Sequence, residues 1–348
     1  MQINKYTSDK IKVISFISII LVLYIHSGFH DIPSEIQGMK TNYYLQEAIS
    51  VYLGRIAVPI FFMISGMLFF RNTNCIEDIF RKMKKRCKTL LIPFLIAGLY
   101  LPAVYLTMRQ ISWTKQFINS FDIFSNVHSF GSILQSLYLF TPTGNQPWGF
   151  HLWFLRDLII IIALSPILYF ARKKLGHRVI VTLLFTLTFI PLKFGIFTSL
   201  FWFMAGDFLL LKLSYFKSLL LTFIYLSLSI CQLLRPSVYW SYFIIPISLI
   251  GVMALWSKYD YLFGKDFRLK GHSFLKIVCN FTFFIYLYHE PTINILRKIM
   301  IIILGRSPFG FALNYILAPW IFALIAALVG QSLKNCVPKI YETLAGGR

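Results

Sequence analysis

Ile11-Lys-Val-Ile-Ser-Phe-Ile-Ser-Ile-Ile-Leu-Val-Leu-Tyr-Ile-His26 carries one charge, Lys12, and otherwise runs apolar to its terminal histidine. A bilayer core is roughly 30 Å thick, and a helix crosses it with about 20 mostly apolar residues. No small-residue cleavage site closes the run, so it reads as a retained first span and not as a removable signal. Working outward, similar runs recur to the end of the chain. They predict ten spans, at 11–28, 49–70, 89–108, 151–171, 178–195, 196–213, 217–234, 239–256, 274–292 and 309–330. The fifth and sixth are short and separated only by Pro191, Lys193 and Gly195, so they read equally as one broken or re-entrant element. The expected fold class is an all-α integral membrane protein, a single polytopic domain over 1–348 with no appended soluble domain.

Composition agrees. Of 348 residues, 57% are hydrophobic and 14% charged, whereas a soluble domain carries about 25% charged residues. The net charge of +21 would suggest nucleic acid in a soluble protein. Here basic loops held on one side of a bilayer explain it, and no nucleic-acid partner is expected. With the N-terminus inside, the inner connections hold 24 of the 34 Lys and Arg and the outer ones 8. Arg55 and Arg156 fall within spans, whereas Arg297 and Lys298 are counted in an outer loop. This asymmetry predicts cytoplasmic termini and a multi-pass protein of the cytoplasmic membrane. Cys75, Cys87, Cys231, Cys279 and Cys336 show no C-x-x-C spacing. Neither a disulfide framework nor a metal site is expected.

Charge inside a bilayer is costly and usually paired or functional. The intramembrane candidates are His26, Arg55, His151, Arg156, Asp157, Asp207, His289 and Glu290, and all but Asp207 fall near the outer face. Such a pattern describes a polar chamber opening outward. Histidine is the natural general base near neutral pH, and an arginine can hold an anion or a developing oxyanion. No phosphate-binding P-loop and no G-x-S-x-G elbow occurs. Ser65-Gly66 reads better as a packing point between helices than as a nucleophile. The long outer connection, about 109–150, ends Thr141-Pro-Thr143-Gly-Asn-Gln-Pro-Trp-Gly149. Its aromatic and amide side chains suit sugar binding and equally suit a membrane interface.

Five segments, taken together and in order, resemble the membrane-bound acyltransferase family 3. They are the first span ending at His26; Arg55-Ile-Ala-Val-Pro-Ile-Phe-Phe-Met-Ile-Ser-Gly66; the basic run Arg81-Lys-Met-Lys-Lys-Arg86 before Leu91-Ile-Pro93; His151-Leu-Trp153-Phe-Leu155; and Phe284-Ile-Tyr-Leu-Tyr-His289. The resemblance implies an O-acyltransferase moving an acyl group, usually acetyl, from acyl-coenzyme A to a hydroxyl of a cell-surface carbohydrate: O-antigen, capsule or exopolysaccharide. Acyl-coenzyme A would be a co-substrate, with no tightly bound cofactor, and the acceptor free or lipid-linked. His26 and Arg55 match the family's first-span histidine and second-span arginine. The family usually has Arg or Lys where this chain has Ser15, and Lys12, about one turn earlier, is the substitute expected. Donor binding is expected at Lys12, Arg81, Lys82, Lys85 and Arg86. The acceptor chamber is expected at His151, Trp153, Arg156, Asp157, His289 and Glu290. A flippase or other transporter, or a glycan polymerase, is the alternative, although no repeat halves are visible.

Overall fold

The computed structural model describes residues 4–28, 40–117, 129–142, 144–190, 195–264, 267–271 and 273–347. Residues 118–128 and Thr143 of the long outer connection, together with Pro191, Lys193 and Arg348, lie outside the described residues. No strand occurs among the described residues.

Helix α1, Lys5–His26, opens on Asn4, whose side-chain oxygen accepts from the Thr7 amide at 2.8 Å, a capping arrangement that satisfies an otherwise orphaned donor. It threads the core, with Ile14, Ile19 and Leu23 wholly buried. Two cations of its first half are partnered within the protein: Lys10 Nζ donates to both Asp260 oxygens at 2.8 Å and Lys12 Nζ to Asn280 Oδ1 at 2.9 Å.

Helix α2, Asn42–Phe70, is π-helical over Glu47–Leu53, 3-10 over Gly54–Ile56 and α-helical from Ala57. A π segment re-aims the side chains that follow it. Gly66 is the packing point its sequence suggested: a methyl there would lie 1.7 Å from the Phe203 carbonyl oxygen. Only hydrogen fits at that crossing.

Helix α3 is Ile76–Gln110. Then come α4, Phe130–Tyr138, and α5, Trp153–Ala163, bent by 60° against α6, Ser165–Leu175. Helices α7, His177–Leu187, and α8, Ile196–Met204, follow, then α9, Tyr215–Leu234, and α10, Ile244–Leu262. The C-terminal part runs α11, Ser273–Asn280; α12, Thr282–Tyr288; α13, Thr292–Leu304; α14, Pro308–Cys336; and α15, Pro338–Ala345.

Among the described residues, five helices are long and apolar enough to cross a membrane: α2, α3, α9, α10 with its preceding turn, and α14; the bent α5–α6 pair makes six. Four of the ten spans expected from sequence, 11–28, 178–195, 196–213 and 274–292, are not among these six, and the fifth and sixth expected spans fall on the shorter apolar helices α7 and α8. Three differences have physical causes. Asp9, Lys10 and Lys12 sit in α1 and lower its apolar character. The expected span 274–292 is broken at Phe281 into α11 and α12. The segment read as an outer loop after it contains α13, an apolar helix of 13 residues. Arg297, counted there as a loop cation, is therefore a buried helical residue, 8% exposed. Exposed Phe216 and Phe223 give α9 the apolar outer face that lipid requires.

Candidate active site

Helix α1 stops at His26, and two other elements bring histidines to it. His151 lies in a single 3-10 turn, Phe150–Leu152, ahead of α5. His289 and Glu290 follow α12 directly. The rings of His26 and His289 are 5.1 Å apart between centroids, those of His151 and His289 4.6 Å, and Phe150 closes the side of His26 at 5.2 Å. Three separated stretches of sequence thus form one cluster. Its members are buried: His289 is 0%, Glu290 2% and His151 4% exposed, whereas the His26 side chain keeps 20%.

Hydrogen bonds fix the tautomers. A backbone carbonyl only accepts, so the ring nitrogen facing one must carry the proton. His289 Nδ1 donates to the Tyr286 carbonyl at 2.7 Å, and His151 Nε2 to the Leu287 carbonyl at 3.1 Å. His289 Nε2 and His151 Nδ1 therefore keep lone pairs, and both are buried without a partner among the described residues. Glu290 Oε1 stands 3.9 Å from His26 Nδ1, and Glu290 Oε2 accepts from Asn294 at 2.7 Å. The cluster is rich in acceptors and suits a donor such as a hydroxyl. His26, His289 and Glu290 each offer a ligand atom, all within 4.8 Å of one another. Two imidazoles and a carboxylate could also hold a divalent cation, a set that spacing in the sequence does not reveal.

Other expected site residues sit differently. Arg55 lies toward α9: its Nη1 donates to Gln232 Oε1 at 2.6 Å, its Nε to the Val51 carbonyl at 3.1 Å, and it stacks on Tyr52. Arg156 donates twice to Asp157 Oδ1, at 3.0 and 2.8 Å, and to the carbonyls of Leu139 and Asn145. Ser199 donates to the other Asp157 oxygen. That pair ties the outer connection down on α5 and α8. Trp153 packs on Phe62, and Asp207 pairs with Arg172 at 2.7 Å.

A cavity of about 680 Å³ lies toward the other end of α1. Apolar Ile11, Phe61, Leu68, Leu90 and Leu158 line much of it, with Lys12, Ser15, Arg86 and Lys334 adding polarity. Tyr286 also lines it and donates its hydroxyl to the His151 carbonyl at 2.9 Å. Tyr286 therefore touches both the cavity and the residues of the cluster. A second cavity, of about 390 Å³, shares Leu68 and Arg86 with the first and adds Lys82, Lys85 and the backbone of Gly346 and Gly347. Lys82 is largely committed, donating to the Phe69 and Arg71 carbonyls and to Thr73. Arg81 is exposed and pairs with Asp78. Of the expected donor-site cations, Lys12, Lys82, Lys85 and Arg86 thus meet at the cavities, and Arg81 does not.

Asn294, Arg297 and Lys334 were not singled out from the sequence. The spacing of Glu290, Asn294 and Arg297, four and then three residues, is the signal that a helical face gives.

Residues 9–330 match a family model described as an acyltransferase domain. The chain is also 30% identical over 210 residues to the succinoglycan biosynthesis protein ExoH of Rhizobium meliloti (strain 1021). That match covers 57% of this chain and 53% of the relative, so it spans about half the relative's length. No solved structure matches. With its apolar helices and a match over nearly its whole length, the chain is a multi-pass membrane protein and belongs to the acyltransferase family 3.

Proposed function

We propose that this protein transfers an acyl group, most simply acetyl, from acyl-coenzyme A to a hydroxyl of a cell-surface carbohydrate. One observation carries the reading: a cation-bearing apolar cavity and a buried, acceptor-rich histidine cluster lie at opposite parts of one helix, joined through Tyr286. Lys12 and His26 are 14 residues apart on α1, roughly 21 Å at 1.5 Å per residue. The nucleotide phosphates would meet Arg86, Lys85, Lys12 and Lys334, and the pantetheine arm would occupy the apolar cavity with its thioester toward His26. In the ten-span topology, with both termini cytoplasmic, that entrance faces the compartment where the donor is made and the cluster faces outward.

In this reading His26 takes the proton of the acceptor hydroxyl as its oxygen bonds to the thioester carbon. Collapse of the tetrahedral intermediate breaks the carbon–sulfur bond. The leaving thiolate takes the proton back from His26, giving an ester and free coenzyme A. Glu290 steadies the imidazolium formed between these steps. Arg55 acts by orienting a neighbour. It braces the π-helical segment, whose Ser50 bonds Tyr315 and the Tyr24 carbonyl, two residues before His26. The likeness to a succinoglycan biosynthesis protein supports a polysaccharide acceptor.

The test is the O-acyl content of surface glycan, by NMR or mass spectrometry, in cells with the gene deleted, restored, or restored as His26→Ala. Loss of acyl esters on deletion, rescued only by the unmutated gene, is expected. Unchanged acylation with altered glycan export or chain length would move the protein to a transporter or polymerase role.

A further inference from the structure

A buried arginine beside a base that must become a cation is at first sight counterproductive, yet Arg297 stands at the end of α1, next to His26. Its bonds explain its presence. Nη1 donates to the His26 carbonyl at 3.2 Å and Nη2 to the Gly28 carbonyl at 2.9 Å. Carbonyls at a helix C-terminus lack intrahelical donors and favour a cation. The guanidinium is thus engaged with the backbone that carries His26. Nη1 also donates to Asn294 Oδ1 at 2.9 Å.

That last bond has a direction. A guanidinium only donates, so the oxygen of Asn294 must face it. The amide nitrogen of Asn294 must then face the other way, and it donates to Glu290 Oε2 at 2.7 Å. Glu290 is left with Oε1, buried and without a hydrogen-bond partner, 3.9 Å from His26 Nδ1. Both hydrogen bonds run from donor to acceptor toward Glu290, which can only accept from His26, along residues 290, 294 and 297 on one face of the chain entering α13. Catalytic hydrogen bonds in unliganded sites are often long and tighten with substrate.

From this geometry we infer that Arg297 and Asn294 are positioning residues: they polarise Glu290 so that His26 turns its Nδ1–H to Oε1 and presents Nε2 as the base. Arg297 holds Asn294 and Asn294 holds Glu290 Oε2, so the Oε1 edge of the carboxylate is left facing the imidazole. The inference rests on the acyl-transfer reading.

The experiment uses the full chain in lipid vesicles with acetyl-coenzyme A and an exopolysaccharide acceptor, measuring kcat and KM. Asn294→Asp is nearly isosteric. It keeps an oxygen for Arg297 but sets acceptor against acceptor at Glu290. A kcat loss on the order of 100-fold is expected, with KM for acetyl-coenzyme A nearly unchanged and partial recovery in Asn294→Gln. Asn294→Asp at full kcat would overturn the inference, because a merely structural bridge to Arg297 survives that change. Should Asn294→Asp fail to fold, Arg297→Gln decides: its own oxygen lets Asn294 flip, the same kcat loss is expected, and unchanged kcat overturns. No acyl transfer by the unmutated protein would overturn the functional reading itself, and the inference with it.

Discussion

The two parts of the molecule joined through Tyr286 are built on opposite principles. Toward the N-terminal end of α1, the cavity wall is apolar and its cations are long side chains. Lys334 lies over the rings of Phe281 and Tyr341, and Arg86 sits where the two cavities meet. Such groups hold a charged ligand by Coulomb attraction and adapt to it. At the other end, hardly anything is adaptable: His289 and His151 are locked by backbone carbonyls, and Glu290 is held through Asn294. Binding tolerates approximate placement, whereas proton transfer does not. The contrast says where a substitution changes affinity and where it changes chemistry.

The largest effect is expected at the rigid end. His26→Ala removes the base, and kcat should fall by at least about a hundredfold while membrane insertion, followed by protease accessibility, stays normal. Retained activity would make the cluster a structural feature. Arg55→Lys comes next: an ammonium cannot hold Gln232, the Val51 carbonyl and the Tyr52 ring at once. Activity and thermal stability in detergent should drop together, and a loss of activity without loss of stability would bring Arg55 into the chemistry. At the adaptable end the effect is smaller and of another kind. Arg86→Ala or Lys334→Ala should raise KM for acyl-coenzyme A several-fold, about 1 kcal/mol of binding, with kcat nearly intact; a kcat effect would erase the distinction. The smallest effect is expected from chelation. Exhaustive treatment with EDTA should leave transfer unchanged. A loss restored by zinc would instead mean that His26, His289 and Glu290 hold a metal.

Much of this was legible in the sequence. Runs such as that ending at His26 announce a helical membrane protein because the bilayer leaves few alternatives. The rarity of intramembrane charge pointed to His26, His151, His289 and Glu290, which the fold does bring together. The same rule pointed to Arg55, which lies toward α9, and it passed over Arg297, whose neighbours looked like a loop. Depth along a span can be counted in a sequence, but the face of a helix toward which a side chain turns depends on partners far away in the chain. Lys334 and Ser15 are separated by nearly the whole chain and share one cavity, and no local pattern encodes that meeting. The broken span at Phe281 was hidden for the same reason, since Phe281 is apolar on both readings.

The most direct test follows both products at once. The purified protein in vesicles would receive labelled acetyl-coenzyme A and an exopolysaccharide acceptor, with glycan ester and free thiol counted in parallel. One thiol released per ester formed by the unmutated protein, and neither above background in His26→Ala, is the result expected. Ester formation at the unmutated rate by His26→Ala, or no donor consumed by either protein, would contradict it.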